Sequence, residues 1–320
     1  MPSYAASRLY AITRRFIWPL FFCASSAAAA AEPEKALIWP GGPPGEQRPP
    51  TVQAVTERSQ PPELRDRIVT GVTAPYVAIF RASRPNGISL LMIPGGGYQR
   101  VVLDKEGYET AEWFAARGVT SFVLVYRLPG EHWSAGADTP LQDTQRALRW
   151  IRQQAEKFAL DPRRVGVIGF SAGGHAAASL ITRFDDPVYA RVDGADEQSA
   201  RPDFAALIYP VISMRDGVAH PGSRERLLGE AWSARDIAMH SPELHVRPRT
   251  PPTFLLHAAD DASVSAENSL LMHAALLQAG VPAELHLFAE GGHGFGLRYV
   301  GDRPVAAWPD LLLAWIEALK

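Results

Sequence analysis

From about residue 74 onward the chain repeats one pattern. Short runs with almost no polar position, among them YVAIF, ISLLMI, TSFVLVY, RVGVIGF, FAALIYPVI, TFLLHAA and AELHLF, alternate with longer segments such as TAEWFAAR, PLQDTQRALRWIRQQAEKF, AGGHAAASLIT, ENSLLMHAALLQAG and PDLLLAWIEAL. A strand with one face in water alternates polar and apolar residues, so a run without that alternation must be covered on both faces. Strands of this kind alternating with helices predict an α/β fold, a mostly parallel central sheet with helices on both faces. In the helix expected from residue 140, Leu141, Leu148, Ile151 and Ala155 share one face. Its start is marked by Thr139 as the expected cap, Pro140 in the first turn and Gln142 at capping-box spacing. Ligands of such sheets bind at loops leaving the strand C-termini, where functional residues are to be sought.

Two stretches lie outside the pattern. Residues 1–31 carry Arg8, Arg14 and Arg15 ahead of FIWPLFFCASSAAAAA, apolar and then small, without an acid. This reads as a secretory signal peptide with processing near Ala31, because Pro19 and the alanine tail fall short of the ~20 apolar residues a membrane span needs. Phe22 before Cys23 speaks against lipid attachment, and loss of the leader removes the only cysteine. The expected product is secreted or periplasmic, with no stable membrane insertion. Residues 32–320 then form a single domain, whose lead-in over 32–66 (WPGGPPGEQRPP) reads as extended, loop-like and superficial. Between the strands expected around 205–212 and 253–259, residues 214–249 form a lid-like insertion with a helical stretch, SRERLLGEAW. The net charge of −2, with no basic cluster interleaved with aromatics, argues against nucleic acid as a partner.

Ser171 sits in G-x-S-x-G, GFSAG, between a predicted strand and a predicted helix. Small residues at 169 and 173 permit a sharp turn that projects the hydroxyl, and the new helix offers the Ala172 N–H to an oxyanion. The blander alternative is a glycine-rich packing turn with an incidental serine. A serine needs a base, and His293, between Gly292 and Gly294 after the last predicted strand, is placed to supply it. The histidine needs a carboxylate: Asp260 and Asp261 end the TFLLHAA strand, and neighbouring side chains there point apart. Asp261 is preferred and Asp260 held in reserve, with a turn or capping role as the alternative for either. The chain order Ser171, Asp261, His293 fits a strand-turn-helix nucleophile.

PGGGYQR follows the ISLLMI strand, and Gly96 and Gly97 are expected to complete an oxyanion hole with Ala172. A phosphate loop is the rival, but G-x-G-x-x-G and a following Lys-Ser/Thr are both missing. No metal is expected, since H-E-x-x-H and cysteine pairs are absent; His220, His240 and His245 are expected at the surface or against substrate. Tyr98 and Trp232 are candidates for stacking on a sugar ring, with core packing as the alternative. Asp143 and Glu106 are expected to fix backbone amides near the active-site loops.

At these residues the chain resembles the α/β-hydrolase superfamily, and within it the exported carbohydrate acetylesterases, acetyl xylan esterases and feruloyl-esterase-like proteins. The resemblance is carried by PGGGY, DKEGYETAEWFAARG, VYRLP, PLQDTQRALRWIR, GFSAGGH, RPDFAALIYPVIS, GSRERLLG, HAADDASVSAENSLL and GGHGFGL. It implies an α/β-hydrolase fold, no cofactor, and Ser171, His293 and Asp261 as nucleophile, base and orienting acid. The sequence departs from the family pattern at Lys105, where relatives carry histidine, and at Ala262 and Ser265, where they carry prolines. The implied activity is a serine esterase acting on an acetylated carbohydrate. A carboxylesterase for small acyl esters, a prolyl-oligopeptidase-type peptidase and a silent binding module remain as alternatives.

Overall fold

The computed structural model describes residues 32–60 and 64–319, together with Met1, so the expected signal peptide lies outside the described residues. Residues 33–320 form one unit. Its strands are β1 (Glu34–Leu37), β2 (Ala54–Glu57), β3 (Arg67–Thr70), β4 (Tyr76–Phe80), β5 (Ser89–Ile93), β6 (Val101–Val102), β7 (Thr120–Val125), β8 (Val165–Phe170), β9 (Ala205–Ile208), β10 (Thr253–Ala258) and β11 (Ala283–Phe288). The α-helices are α1 (Glu109–Ala115), α2 (Thr139–Gln153), α3 (Ala155–Phe158), α4 (Ala172–Thr182), α5 (Pro221–Leu228), α6 (Ala234–Met239), α7 (Glu267–Gln278) and α8 (Trp308–Ala318).

Eight strands form the central sheet in the order β1-β4-β7-β5-β8-β9-β10-β11. From β7 to β11 every neighbouring pair is parallel, while β4 runs antiparallel to both β1 and β7. Most of the apolar runs are buried as expected, every residue of β5, β7, β8, β9 and β10 being buried, but AELHLF is not: β11 is an edge strand with no buried residue, and its Glu284 and His286 alternate with apolar positions. After β5 the chain crosses to β7 on one side, and after β8 to β9 on the other. This topological switch between β5 and β8 opens a crevice at their C-terminal ends, between the Gly95–Gly97 loop and Ser171.

Two expectations need correction. The lead-in lies at the surface as expected, apart from Ile38 and Trp39, which are buried in the core, but it is not loop-like: β1 pairs with β4, and β2 and β3 build a small antiparallel sheet with β6. Trp39 donates its indole N–H to Asp143 at 2.8 Å, a contact that local composition could not reveal. Nor does Thr139 cap α2, because it already lies within the helix and Asp138 precedes it without a side-chain cap bond. Gln142 instead accepts from Arg127 and donates to the Val188 carbonyl. The Asp143 carboxylate fixes the Arg127 backbone N–H and pairs with its guanidinium, both side chains wholly buried.

Candidate active site

Ser171 occupies the turn between β8 and α4 at φ 52° and ψ −120°, a conformation that costs an L-residue about 1–3 kcal/mol. The turn is held at both ends: the Ser171 N–H donates to the Ile208 carbonyl, and the Ser171 carbonyl accepts from Val211 N–H. The glycines around it are a packing requirement. A Cβ on Gly173 would lie 2.1 Å from the Ile93 carbonyl oxygen, and one on Gly169 would lie 2.4 Å from that of Gly173. Helix α4 therefore rests directly on the ends of β5 and β8, pushing the serine to the tip.

Ser171 Oγ lies 2.9 Å from His293 Nε2, and His293 Nδ1 lies 2.7 Å from Asp261 Oδ2. The other Asp261 oxygen accepts the backbone N–H groups of Ser263 and Val264, both at 2.9 Å. A second histidine reaches the same carboxylate: His257 Nε2 lies 3.3 Å from Asp261 Oδ2 and 2.9 Å from the Val264 carbonyl. A carbonyl only accepts, so His257 carries its proton on Nε2. Burial works to raise the Asp261 carboxyl, but hydrogen bonds from His257 and His293, the charge on His293 and the Val264 N–H outweigh it. The group is held well below the ordinary carboxylate range. The two aspartates thus divide the work: Asp260 turns away from His293, and its Oδ1 accepts Gly291 and Gly292 N–H at 2.9 and 2.7 Å, clamping the loop that presents His293.

Gly96 and Gly97 sit at φ 128° and 64° and border the same cavity of about 380 Å³ as Ser171 and His293. Gly95 is committed elsewhere, since its N–H donates to Glu106 Oε2 at 2.8 Å and an added Cβ would strike Ser171 Cβ at 2.8 Å. Glu106 also accepts the Tyr209 hydroxyl, and Tyr209 in turn accepts Gly296 N–H and sets its ring edge-on to His293, centroids 5.1 Å apart. Sequence reasoning missed Tyr209 in this role. Its φ of 37°, which ends β9 and turns the ring toward the histidine loop, has no signature in the run FAALIYPVI.

Neither sugar-stacking candidate faces this cavity. Tyr98 is buried at φ 58°, with its hydroxyl 2.7 Å from His175 Nδ1. His175 Nε2 donates to the His240 carbonyl at the end of α6, and burial, partly offset by that bond, pushes the imidazole down to about 3. The neutral ring ties α4 to both the Gly95–Gly97 loop and the insertion. Trp232 is half-buried beneath the Arg224 guanidinium, 4.7 Å from the ring centroid, and does not line the cavity at Ser171. Among the insertion histidines, His220 does line it, while its Nδ1 accepts Ser223 N–H at the start of α5. Burial, reinforced by the nearby charge on His293, lowers its pKa. His245 donates to the Ala238 carbonyl.

The BD-FAE family model matches residues 82–276. The chain belongs to the BD-FAE family. An acetylxylan esterase of Xylanibacter ruminicola is 32% identical over 221 residues, which is 68% of this chain and 43% of that protein. Endo-1,4-beta-xylanase B of Butyrivibrio fibrisolvens is 35% identical over 224 residues, 68% of this chain and 34% of its own length. The chain thus spans less than half the length of these curated relatives. Among solved structures, an acetyl ester-xyloside bifunctional hydrolase from Caldicellulosiruptor lactoaceticus matches with a TM-score of 0.72 at 34% identity, over 91% of this chain and 98% of that one. A thermophilic esterase from Thermogutta terrifontis matches at 0.60 and 26% identity, over 85% and 97%. This BD-FAE member therefore has the mostly parallel α/β sheet anticipated from its strand pattern and the α/β-hydrolase fold that the resemblance implied. Among its described residues, no helix is long and apolar enough to cross a membrane.

Proposed function

We propose that the protein is a serine esterase that removes acetyl groups from plant cell-wall polysaccharide or its oligosaccharides. The observation that carries this reading is the continuous hydrogen-bonded line from Ser171 Oγ through His293 to Asp261, opening on a cavity bordered by Gly96 and Gly97. The names of the xylan-directed relatives support the substrate class. Ser171 Oγ attacks the acetyl carbonyl carbon while its proton passes to His293 Nε2, and Asp261 stabilises the imidazolium. The Gly96, Gly97 and Ala172 N–H groups hold the tetrahedral oxyanion, each worth about 2.7–4 kcal/mol in comparable sites. Collapse expels the sugar alcohol, protonated by His293. Water activated by the same ring then attacks the acetyl-serine, releasing acetate and restoring the hydroxyl. Export through the 1–31 leader is part of the proposal and rests on its Arg-then-apolar sequence.

The test is acetate release from acetylated xylan beside a series of aryl esters from acetyl to longer acyl and feruloyl. Preference for acetyl, release from the polymer and loss of both in Ser171→Ala support the reading. Preference for longer chains, with none released from the polymer, would make the protein a general carboxylesterase instead.

A further inference from the structure

We propose that the cavity in front of Ser171 recognises an anionic group on its substrate, the carboxylate of a hexuronate carried by the same saccharide as the acetyl ester. Arg100 and Lys105 are assigned as its binding residues. The inference rests on the esterase reading above and narrows its substrate class.

The whole chain carries a net charge of −2, yet this one cavity gathers Arg58, Arg100, Lys105 and Arg226 against only Glu106 and Glu225. Part of that charge is already answered within the protein or by solvent. Arg58 is paired with Asp66 at 2.8 Å, and Arg226, without an ion pair among the described residues, is exposed on α5, where water and salt screen it. Glu106 is buried and occupied, one oxygen by Gly95 N–H and the other by the Tyr209 hydroxyl. Arg100 and Lys105 remain. Among the described residues neither has a carboxylate within salt-bridge distance. Arg100 meets only the neutral Gln99 side chain, at 3.2 Å, and its Nε is buried without an acceptor. Lys105 Nζ stands 5.5 Å from the Tyr299 ring centroid, and an added Cβ on Gly294, next to His293, would lie 3.3 Å from it.

These two cations flank the reacting centre. Arg100 follows the Gly96–Gly97 loop, whose Gly96 carbonyl accepts its N–H, while Lys105 stands on the single π-turn Asp104–Tyr108, beside the His293 loop. A buried guanidinium N–H with no acceptor is costly unless a ligand supplies one, and a planar carboxylate fits a guanidinium better than any sugar hydroxyl does. On a saccharide, the C6 carboxylate of a hexuronate is such a group. A cationic cavity also draws an anionic substrate to the site at a rate that salt suppresses.

The experiment compares kcat/KM for two acetylated xylo-oligosaccharides of equal length, one bearing a hexuronate branch and one neutral, in the wild type, Arg100→Gln, Lys105→Gln and Arg100→Lys. At low salt the wild type is expected to favour the hexuronate substrate about tenfold, equivalent to about 1.4 kcal/mol. That ratio should fall toward one in both glutamine variants, chiefly through KM, and stay higher in Arg100→Lys. In the wild type alone it should also shrink at about 1 M NaCl, where the screening length is about 3 Å, a readout independent of whether any variant folds. A wild-type ratio of one or less, or a preference unmoved by salt and by both glutamine variants, overturns the proposal while leaving the esterase reading intact. Failure to release acetate from either oligosaccharide or from an aryl acetate overturns the esterase reading, and this inference with it.

Discussion

Replacing Asp261 by Asn exchanges a side chain that only accepts hydrogen bonds for one that accepts at one atom and donates at the other. Four donors surround it: Ser263 and Val264 N–H at one oxygen, His293 Nδ1 and His257 Nε2 at the other. With the amide oxygen toward His293, its NH2 group opposes both backbone N–H groups at 2.9 Å, each unmade buried bond costing about 1–3 kcal/mol. With the oxygen toward the backbone, the NH2 group faces the two histidines and forfeits only the longer 3.3 Å contact with His257. The second orientation therefore wins. It offers His293 Nδ1 a donor, which drives the proton to Nε2, where the ring can no longer take one from Ser171. A triad in the wrong tautomer loses about 10⁴ in kcat, or about 5.5 kcal/mol of barrier at 1.36 kcal/mol per decade. Asp260→Asn is the internal control. Its amide oxygen can still accept Gly291 and Gly292 N–H, so only the charge assistance goes, and kcat should fall by less than about tenfold. The assay is turnover of an aryl acetate at neutral pH by both variants, with calorimetry showing each to be folded. An Asp261→Asn enzyme within tenfold of wild type, or an Asp260→Asn enzyme more damaged than it, refutes the tautomer reasoning.

Ser171→Ala and Ser171→Gly should both be inactive toward aryl acetates, but glycine alone relieves the φ of 52°. The glycine variant is therefore expected to melt a few degrees above the alanine variant, and equal melting temperatures would mean the elbow stores no strain. Gly173→Ala places a Cβ 2.1 Å from a backbone oxygen that cannot step aside, so a loss of about 3 kcal/mol or more is expected in urea unfolding. An unchanged midpoint would contradict the close helix-strand contact. Because folding holds the Asp261 pKa below its ordinary value, the stability it contributes is complete above the unfolded carboxylate pKa of about 3.9 and is lost as pH falls below it. Melting temperature in Asp261→Asn should accordingly decline less steeply than in wild type between about pH 5 and pH 3, and parallel curves would rule out this linkage.

The central strands were legible because a sheet covered on both faces strips polar residues from whole runs, as in SLLMI and VGVIGF. Where that cause is absent, the pattern fails. β1 is a short edge strand with an exposed, polar face, so Glu34–Leu37 carries the composition of a loop while Ile38 and Trp39 beyond it enter the core. The opposite error occurs after β9. Apolar burial continues through Tyr209, Val211 and Ile212 although pairing stops at Ile208, because these residues are covered by the chain around the site rather than by ladder neighbours. Burial and strand pairing coincide in the middle of a sheet and separate at its ends, which is where the site lies.

The same distinction explains which parts of the site were readable. Gly96, Gly97 and His293 announce themselves because a backbone forced to positive φ selects glycine at or beside them, and Ser171 because the close helix-strand contact excludes a Cβ at Gly169 and Gly173; glycine is visible in a string of letters. Tyr98 and Tyr209 also stand at positive φ without being glycine, so nothing in the sequence marks them; of the two roles open to Tyr98, sugar stacking and core packing, its burial and its bond to His175 select packing. What supports the reacting groups is non-local. Glu106 joins Gly95 beneath the serine to Tyr209 beside the histidine, and Asp260 fastens a loop 31 residues away. A local pattern therefore locates the atoms that react. Glu106 was readable as a holder of backbone amides, but its link to Tyr209 and the clamp by Asp260 emerge only when strands β5, β8, β9 and β10 are assembled, and substitutions at Glu106 or Tyr209 act on the geometry of His293 rather than on its chemistry.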